Sequence, residues 1–389
     1  MSARSSARVA VVGCGWWSTY THIPGLKEYG PADLVALCDP DEARLKAAAE
    51  RYGVAKTYTS VDEMLARERL DAAVVATYHA THYEVARTCL DAGLHVMIEK
   101  PMVLEAAHGR DLLERAQAQG REIVVGYPWH YTATARRARE LVTSGQLGPV
   151  QFAASLFASM VVEFYRGNPE AYRPVFQYPV TGPTERSYSD ARLAGGGQGH
   201  LQVTHAAGLL FFVTGLRAAR VGAFMERFDV PVDLVDAISV RFAPQPQAGT
   251  RYPSEGGAGY PGAVGVVGST GNIGVGDGGQ HDLRVYCRDG YVLLDMVGGT
   301  LTVKRHDGTP TRERIPRLET AIEELGPLDP DDRYPRFATA RNLVDVVLGQ
   351  APNGSPGAVG QRTVELLDAA YRSAAQQGAP VAVEELAVR

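Results

Sequence analysis

Cysteine is scarce in this chain: four in 389 residues, at positions 14, 38, 89 and 287. No two form a CxxC pair, and no His, Cys and carboxylate residues cluster at metal-ligand spacing. That pattern argues against a disulfide framework and against a bound metal. Long apolar runs are lacking as well, and none reaches the roughly 20 residues that cross a bilayer. The first six residues, Met1-Ser2-Ala3-Arg4-Ser5-Ser6, lead into the first apolar stretch without a signal-peptide core. The expectation is a cytoplasmic protein with reduced, buried thiols and no membrane partner. A basic excess is missing too: 39 Lys and Arg stand against 44 Asp and Glu, a formal charge of -5. That charge disfavours nucleic acid as a partner. There is no internal repeat and no Gly-x-Ser-x-Gly nucleophile elbow. What remains, 45% hydrophobic and 21% charged residues, is the composition of a globular protein of two or three domains.

The first third alternates strand and helix. Apolar runs at 8–12, 34–38, 72–76, 95–98 and 123–126 carry no period-two pattern, as expected of parallel strands covered on both faces. Helical stretches at 41–52, 61–68, 81–92 and 104–119 separate them. The reading is α/β: a Rossmann-type, doubly wound parallel sheet over residues 1–126. After Tyr127 the pattern changes. A helix over 132–144 is followed by half-buried strands at 150–157, 220–225, 237–242, 282–286, 291–295 and 300–303, with a helix at 205–214 among them. Residues 127–389 therefore read as an α+β domain on an open, mainly antiparallel sheet. The Gly- and Pro-rich stretch 244–262 reads as a surface loop. Terminal helices at 334–348 and 359–377 have the option of packing back on the first domain.

The first strand runs into Gly13-Cys14-Gly15-Trp16-Trp17-Ser18. Gly13 permits the tight turn and Gly15 lets the backbone approach a pyrophosphate, which would sit on a helix N-terminus. Ser18 replaces the usual third glycine. Asp39 ends the second strand, where an acid accepts hydrogen bonds from the adenosine ribose and repels a 2′-phosphate. NAD is the expected cofactor and NADP the less favoured one. An N-cap role for Asp39-Pro40-Asp41 is the alternative, and both can hold.

Glu99-Lys100-Pro101 follows the apolar run 94–98, which places a lysine at the carboxyl end of a strand, where open α/β sheets bind ligands. Together with Thr77-Tyr78-His79-Ala80-Thr81-His82 and a later Gly195-Gly196-Gly197 followed by His205, these motifs resemble, in order, the Gfo/Idh/MocA family of glucose-fructose and inositol dehydrogenase-like oxidoreductases. The resemblance extends over nearly the whole chain. It implies a nicotinamide-dependent oxidation or reduction of a sugar, glycoside or cyclitol, and a homodimer or homotetramer assembled through the open sheet. It implies that Lys100 contacts the reacting hydroxyl, that Glu99 contacts the nicotinamide ribose, that Pro101 follows a cis peptide, and that His205 shuttles a proton or orients substrate. Cofactor contacts are further expected from Trp16, Trp17, Thr77, His79 and His82.

The chain departs from the family at Leu201 and Gly208, where many members carry Asp beside the histidine. His200 and Gln202 are the nearby polar substitutes, and the proton-accepting role shifts toward Lys100. Aromatic Tyr127, Trp129 and His130 stand where Asn and Arg are frequent, and aromatic faces suit the C–H faces of a polyhydroxylated small molecule. Tyr172 and Arg173, with Tyr165, Arg166 and Arg186, lie on a loop-like stretch placed to cover substrate. His22, before Pro24, is assigned a structural role. Two other functions fit the same motifs: an NAD-dependent glycosidase or lyase that oxidises transiently, and a non-catalytic cofactor-binding regulator, the latter disfavoured by the retained Lys100.

Overall fold

The computed structural model describes residues 5–245, 262–306 and 335–383. Most of the predicted loop at 244–262, and Tyr334 at the head of a predicted helix, lie outside them. The chain divides into two compact units: residues 1–128, 163–197 and 336–364 form the first, and 129–162, 198–335 and 365–389 the second.

The first unit is built on six parallel strands: β1 (Ala7–Val12), β2 (Ala32–Cys38), β3 (Lys56–Tyr58), β4 (Ala72–Val75), β5 (His95–Ile98) and β6 (Ile123–Val125), in the spatial order β3-β2-β1-β4-β5-β6. That is the doubly wound sheet read from the apolar runs. The helices begin where side chains can cap them. Asp41 accepts the Arg44 N–H at 3.0 Å ahead of helix Glu42–Tyr52, and Ser60 caps helix Val61–Arg67. Gly53, at φ 64°, ends the first of these with the left-handed residue such a terminus requires. One face of the sheet packs Val9, Val11 and Val74 against Ala340, Leu343 and Val344 of helix Ala338–Val347. The other buries Val75, Val96 and Val125 with Val364. Because the strands are parallel, Gly13, Asp39, Ala76 and Glu99 all emerge at one edge, and backbone bonds between neighbouring strands fix their order. That edge carries the site.

The second unit holds an eight-stranded sheet: β7 (Val150–Ala158), β8 (Ala218–Glu226), β9 (Val235–Phe242), β10 (Val264–Thr270), β11 (Gln280–Cys287), β12 (Gly290–Asp295), β13 (Thr300–Arg305) and β14 (Val381–Ala382). Their order is β13-β12-β11-β7-β10-β9-β8-β14, and only β7–β10 pairs in parallel. Helix Thr204–Thr214, buried along its whole length, packs against β7 and β11 on one face. On the other, Leu156, Phe224, Val264, Val266 and Tyr286 remain 37–62% exposed.

β10, in the middle of this sheet, has no counterpart among the strands expected from sequence. Gly265 and Gly268 interrupt its apolar run. A Cβ on Gly265 would stand 2.5 Å from the Ala153 carbonyl oxygen of β7, so close approach of two backbones demands the glycine. Among the described residues no helix is long and apolar enough to cross a membrane, and no three His, Cys, Asp or Glu residues are placed to share a metal ion.

Candidate active site

A cavity of about 370 Å³ opens at the carboxyl edge of the first sheet. Its wall contains Gly13, Gly15, Trp16, Trp17, Asp39, Thr77 and His79, so seven of the expected cofactor residues are brought together. A strap from residues 182–188, including Thr184, Ser187 and Tyr188, completes the wall. Trp16 anchors the region: its indole donates to the Gln177 carbonyl at 3.0 Å and its rings lie 5.3–5.7 Å from those of Phe164, Phe176 and Tyr178.

The two glycines of the loop answer to different demands. Gly13 has φ 96°, and a Cβ there would meet the Ala76 carbonyl oxygen at 2.4 Å, so the fold itself requires it. A Cβ on Gly15 would meet nothing within 4 Å. The chain's own packing leaves that space clear, which fits a loop that a dinucleotide pyrophosphate approaches closely. Gly15→Val is therefore expected to leave thermal stability within about 1 kcal/mol of the parent. Dinucleotide affinity should fall at least about tenfold, read by NADH fluorescence titration. Undiminished binding would remove Gly15 from the site.

Glu99 is held from three sides. Trp17 Nε1 donates to Oε1 at 3.0 Å, His22 Nε2 lies 2.9 Å from the same oxygen, and the Lys100 N–H donates to Oε2 at 3.0 Å. Burial pushes this carboxyl up, but the His22 hydrogen bond and charge, followed by Lys100, outweigh it and hold the pKa below its ordinary value. Gly126 keeps the carboxylate room, since a Cβ there would come within 2.8 Å of it. The Lys100–Pro101 peptide is cis, as the resemblance implied. Burial lowers the Lys100 ammonium from 10.5 to about 8, against the pull of Glu99, which raises it. A lysine so placed exchanges its proton near neutrality, as an alcohol oxidation requires.

The remaining expected residues sit differently. His82 is fully buried; its Nδ1 contacts the Pro101 carbonyl at 2.8 Å and its Nε2 lies 3.2 Å from the Thr77 carbonyl, so it ties two site loops together and does not line the cavity. Tyr127 is buried in the core of the first unit. Tyr172 is buried against Phe164 and Phe176, and its hydroxyl accepts the Glu163 N–H at 3.0 Å. Arg173 pairs with Glu170, Arg166 with Glu163 and Arg186 with Asp190, all within the same segment. In the second unit Trp129 lies edge-on to His281, His130 stacks on Phe212 at 4.2 Å, and His205 stacks on Phe157 at 5.8 Å. Gln202 lies on the π-helical turn Gly199–Val203 just before the His205 helix.

Sequence reasoning missed His22 as the partner of Glu99, Arg44 as the partner of Asp39, and His281; it marked the stretch that carries the strap, through Arg186, as a cover for substrate but not as a wall of this cavity. Arg44 carried a usable signal: it falls in the first turn of the helix that Asp41 caps, five positions after Asp39. His22 was marked for a structural role, but nothing local marked its partner, which lies 77 positions away.

A parallel sheet with a Gly-x-Gly turn and an acid at the end of its second strand defines a dinucleotide-binding domain of the Rossmann type. Residues 7–127 match the model of the Gfo/Idh/MocA family, described as "Oxidoreductase family, NAD-binding Rossmann fold". The chain is similar to the D-glucoside 3-dehydrogenase of Escherichia coli (strain K12), 30% identical over 146 residues, 38% of this chain and 42% of that one. The myo-inositol 2-dehydrogenase of Thermotoga maritima is also 30% identical, over 141 residues, 36% of this chain and 42% of the relative. The chain thus spans about two fifths of the length of the curated relatives it matches. Across its length it resembles the crystal structure of GenD2 from gentamicin A biosynthesis in complex with NAD. The TM-score is 0.71 and the identity 25%, covering 99% of this chain and 98% of that one.

Proposed function

We propose that this chain is an oxidoreductase that transfers a hydride between a nicotinamide dinucleotide and a secondary hydroxyl or ketone of a sugar, glycoside or cyclitol. The observation that carries the reading is the lysine at the carboxyl end of β5, drawn down to about 8 by burial beside a carboxylate locked in its ionised form. When bound, the nicotinamide ring supplies the hydride acceptor or donor. Lys100 accepts the hydroxyl proton in oxidation and, protonated, polarises the carbonyl in reduction. Glu99 orients the nicotinamide ribose and keeps the Lys100 charge compensated. His205 is assigned to substrate orientation and proton exchange, with Gln202, Trp129 and His130 as substrate contacts. Gly13, Gly15, Trp16, Trp17, Thr77 and His79 bind the dinucleotide, and NAD is the preferred form on the strength of Asp39. The names of the glucoside and inositol dehydrogenases support the substrate class.

A panel of sugars, glycosides and cyclitols, followed by absorbance of reduced nicotinamide with NAD and NADP in parallel, tests the reading. Net NADH formation is expected with at least one secondary alcohol. Sugar release without net NADH points instead to the transient-oxidation cycle. The four cysteines are buried and unlinked, which supports a cytoplasmic setting. The apolar face of the second sheet supports assembly of two or four copies through it. Sedimentation at micromolar concentration should then give a dimer or larger species, and a monomer removes that assignment.

A further inference from the structure

We propose that His22 is a positioning residue for the reaction: its imidazole holds the Glu99 carboxylate against Lys100 and so sets the pH range in which Lys100 exchanges its proton. The role rests on the oxidoreductase reading given above, in which Lys100 carries that proton.

Trp17 and His22 stand five positions apart, at the two ends of the π-helical turn Ser18–His22. In an α-helix, residues three and four apart share a face. A π turn, with its i→i+5 bonds, brings residues five apart together instead. The Ile23 N–H donates to the Ser18 carbonyl in that pattern. Both side chains therefore reach one acceptor: the Trp17 indole at 3.0 Å and His22 Nε2 at 2.9 Å meet Glu99 Oε1. Oε2 takes the Lys100 N–H at 3.0 Å. The carboxylate is tied at both oxygens, next in sequence to the lysine it acts on. Because an ionised carboxylate can only accept, His22 Nε2 carries the proton of this bond.

A packing role alone does not account for this histidine. It is 1% exposed, and its Nδ1 has no partner among the described residues. An unpaired polar atom at that depth is unfavourable, and an apolar side chain of similar size would avoid it. What the imidazole supplies, and such a side chain lacks, is the donor to Glu99. Without that donor, burial, the largest influence on the Glu99 carboxyl, pushes its pKa up with less to oppose it. Glu99 then carries less charge, and Lys100, whose ammonium that charge stabilises, releases its proton at lower pH. His82 and Tyr188 also feel the charge of Glu99. Burial lowers His82 and raises Tyr188, so both are neutral near neutrality and neither replaces His22.

The full chain is compared with His22→Leu, His22→Gln and Glu99→Gln. Two quantities are followed against pH: NAD-linked oxidation of an alcohol from the panel, and the rate at which acetic anhydride acetylates Lys100, read by peptide mass spectrometry. The second needs no turnover. Both should inflect at about 8 in the parent. In His22→Leu both should inflect lower by at least about 0.5 pH unit, in the direction of Glu99→Gln. His22→Gln offers an amide N–H near the position of Nε2 and should keep the parental inflection. Adding His22→Leu to Glu99→Gln should move the inflection no further, since the histidine acts through the carboxylate. Thermal melts establish that the variants are folded. Should His22→Leu not fold, His22→Asn, whose shorter amide falls short of Oε1, takes its place with the same expected shift. A smaller shift on loss of the donor, or an equal shift in His22→Gln, overturns the positioning role and leaves the oxidoreductase reading intact. Acetylation profiles displaced as expected, in a parent that reduces no NAD with any alcohol, uphold the coupling of His22 to Lys100 and overturn the oxidoreductase reading.

Discussion

Acidification from about pH 6.5 to about pH 4.5 is expected to unfold the second unit, because that unit buries histidines whose unfolded pKa lies near 6.5. Burial lowers His130 and His281 to about 3 and His200 to about 4. Smaller effects modify these: Arg139 and His281 press His130 down further, and Asp233 and Asp368 pull His200 back up. His281 is the plainest case, fully buried, with neither ring nitrogen hydrogen-bonded among the described residues. Each of the three is neutral in the fold and charged once unfolded, so the unfolded state binds more protons and stability falls with pH. The penalty is absent above the unfolded pKa and complete only below the folded one. Asp236 works in the opposite sense: burial and the neighbouring Asp233 raise its pKa well above 3.8, so the fold holds a proton there that the unfolded chain releases. The net uptake on unfolding is then about two protons, a slope of about 2.7 kcal/mol per pH unit. Two units of pH thus exhaust the 5–15 kcal/mol, at its lower end, that hold a typical domain. Circular dichroism against pH measures the midpoint. His281→Leu removes one of the three without breaking a hydrogen bond, and should move the midpoint down by on the order of 0.5 pH unit. An unchanged midpoint would mean that His281 titrates normally.

The same contrast between burial and satisfied polarity explains how far the sequence could be read. Five of the six strands of the first sheet are legible because both faces are covered, and a strand covered twice is apolar throughout, as in Ala72-Ala73-Val74-Val75; the polar edge strand β3, Lys56–Tyr58, has no such run. The Gly13 turn and the acid at position 39 follow, since only certain residue types fit those backbone positions. β10 was hidden because the close packing that places it mid-sheet requires Gly265, a second glycine follows at Gly268, and glycine reads as a breaker. At the site, the identities of Asp39, Glu99 and Lys100 were legible, but their partners were not. His22 reaches Glu99 across 77 positions of sequence and Trp17 across 82. Nothing local marks such pairs. The strap at 182–188 was legible only as part of a loop-like stretch, through Arg186: its tip is held by a Thr184–Ser187 turn and by neighbouring aromatic rings, neither of which leaves a periodic pattern.

Lys100→Met should abolish turnover while dinucleotide binding persists. The side chain keeps its length and loses its ammonium, so the variant separates chemistry from packing. Loss of a positioned general base typically costs 10²–10⁴-fold, and a fall of about that size in kcat is expected, with NADH affinity within about threefold of the parent. In the parent, oxidation should rise with pH and level off above about 8, where Lys100 is deprotonated, while reduction should fall through the same value. Glu99→Gln removes the carboxylate that raises Lys100 and should shift both profiles to lower pH. Lys100→Arg tests charge alone, because a guanidinium never releases its proton near neutrality, and this variant too should fail to oxidise. A stability measurement guards against misfolding and carries its own sign. The fold lowers Lys100 from 10.5 to about 8, so below the unfolded value the folded state holds this proton less well than the unfolded chain does. The difference costs the parent up to about 3 kcal/mol near neutrality, less whatever its partial exposure recovers. Lys100→Met should accordingly melt higher than the parent while losing its activity. An inert variant of unchanged or lower stability would mean that burial does not strain this lysine, and a variant within tenfold of parental turnover would take the proton transfer away from it altogether.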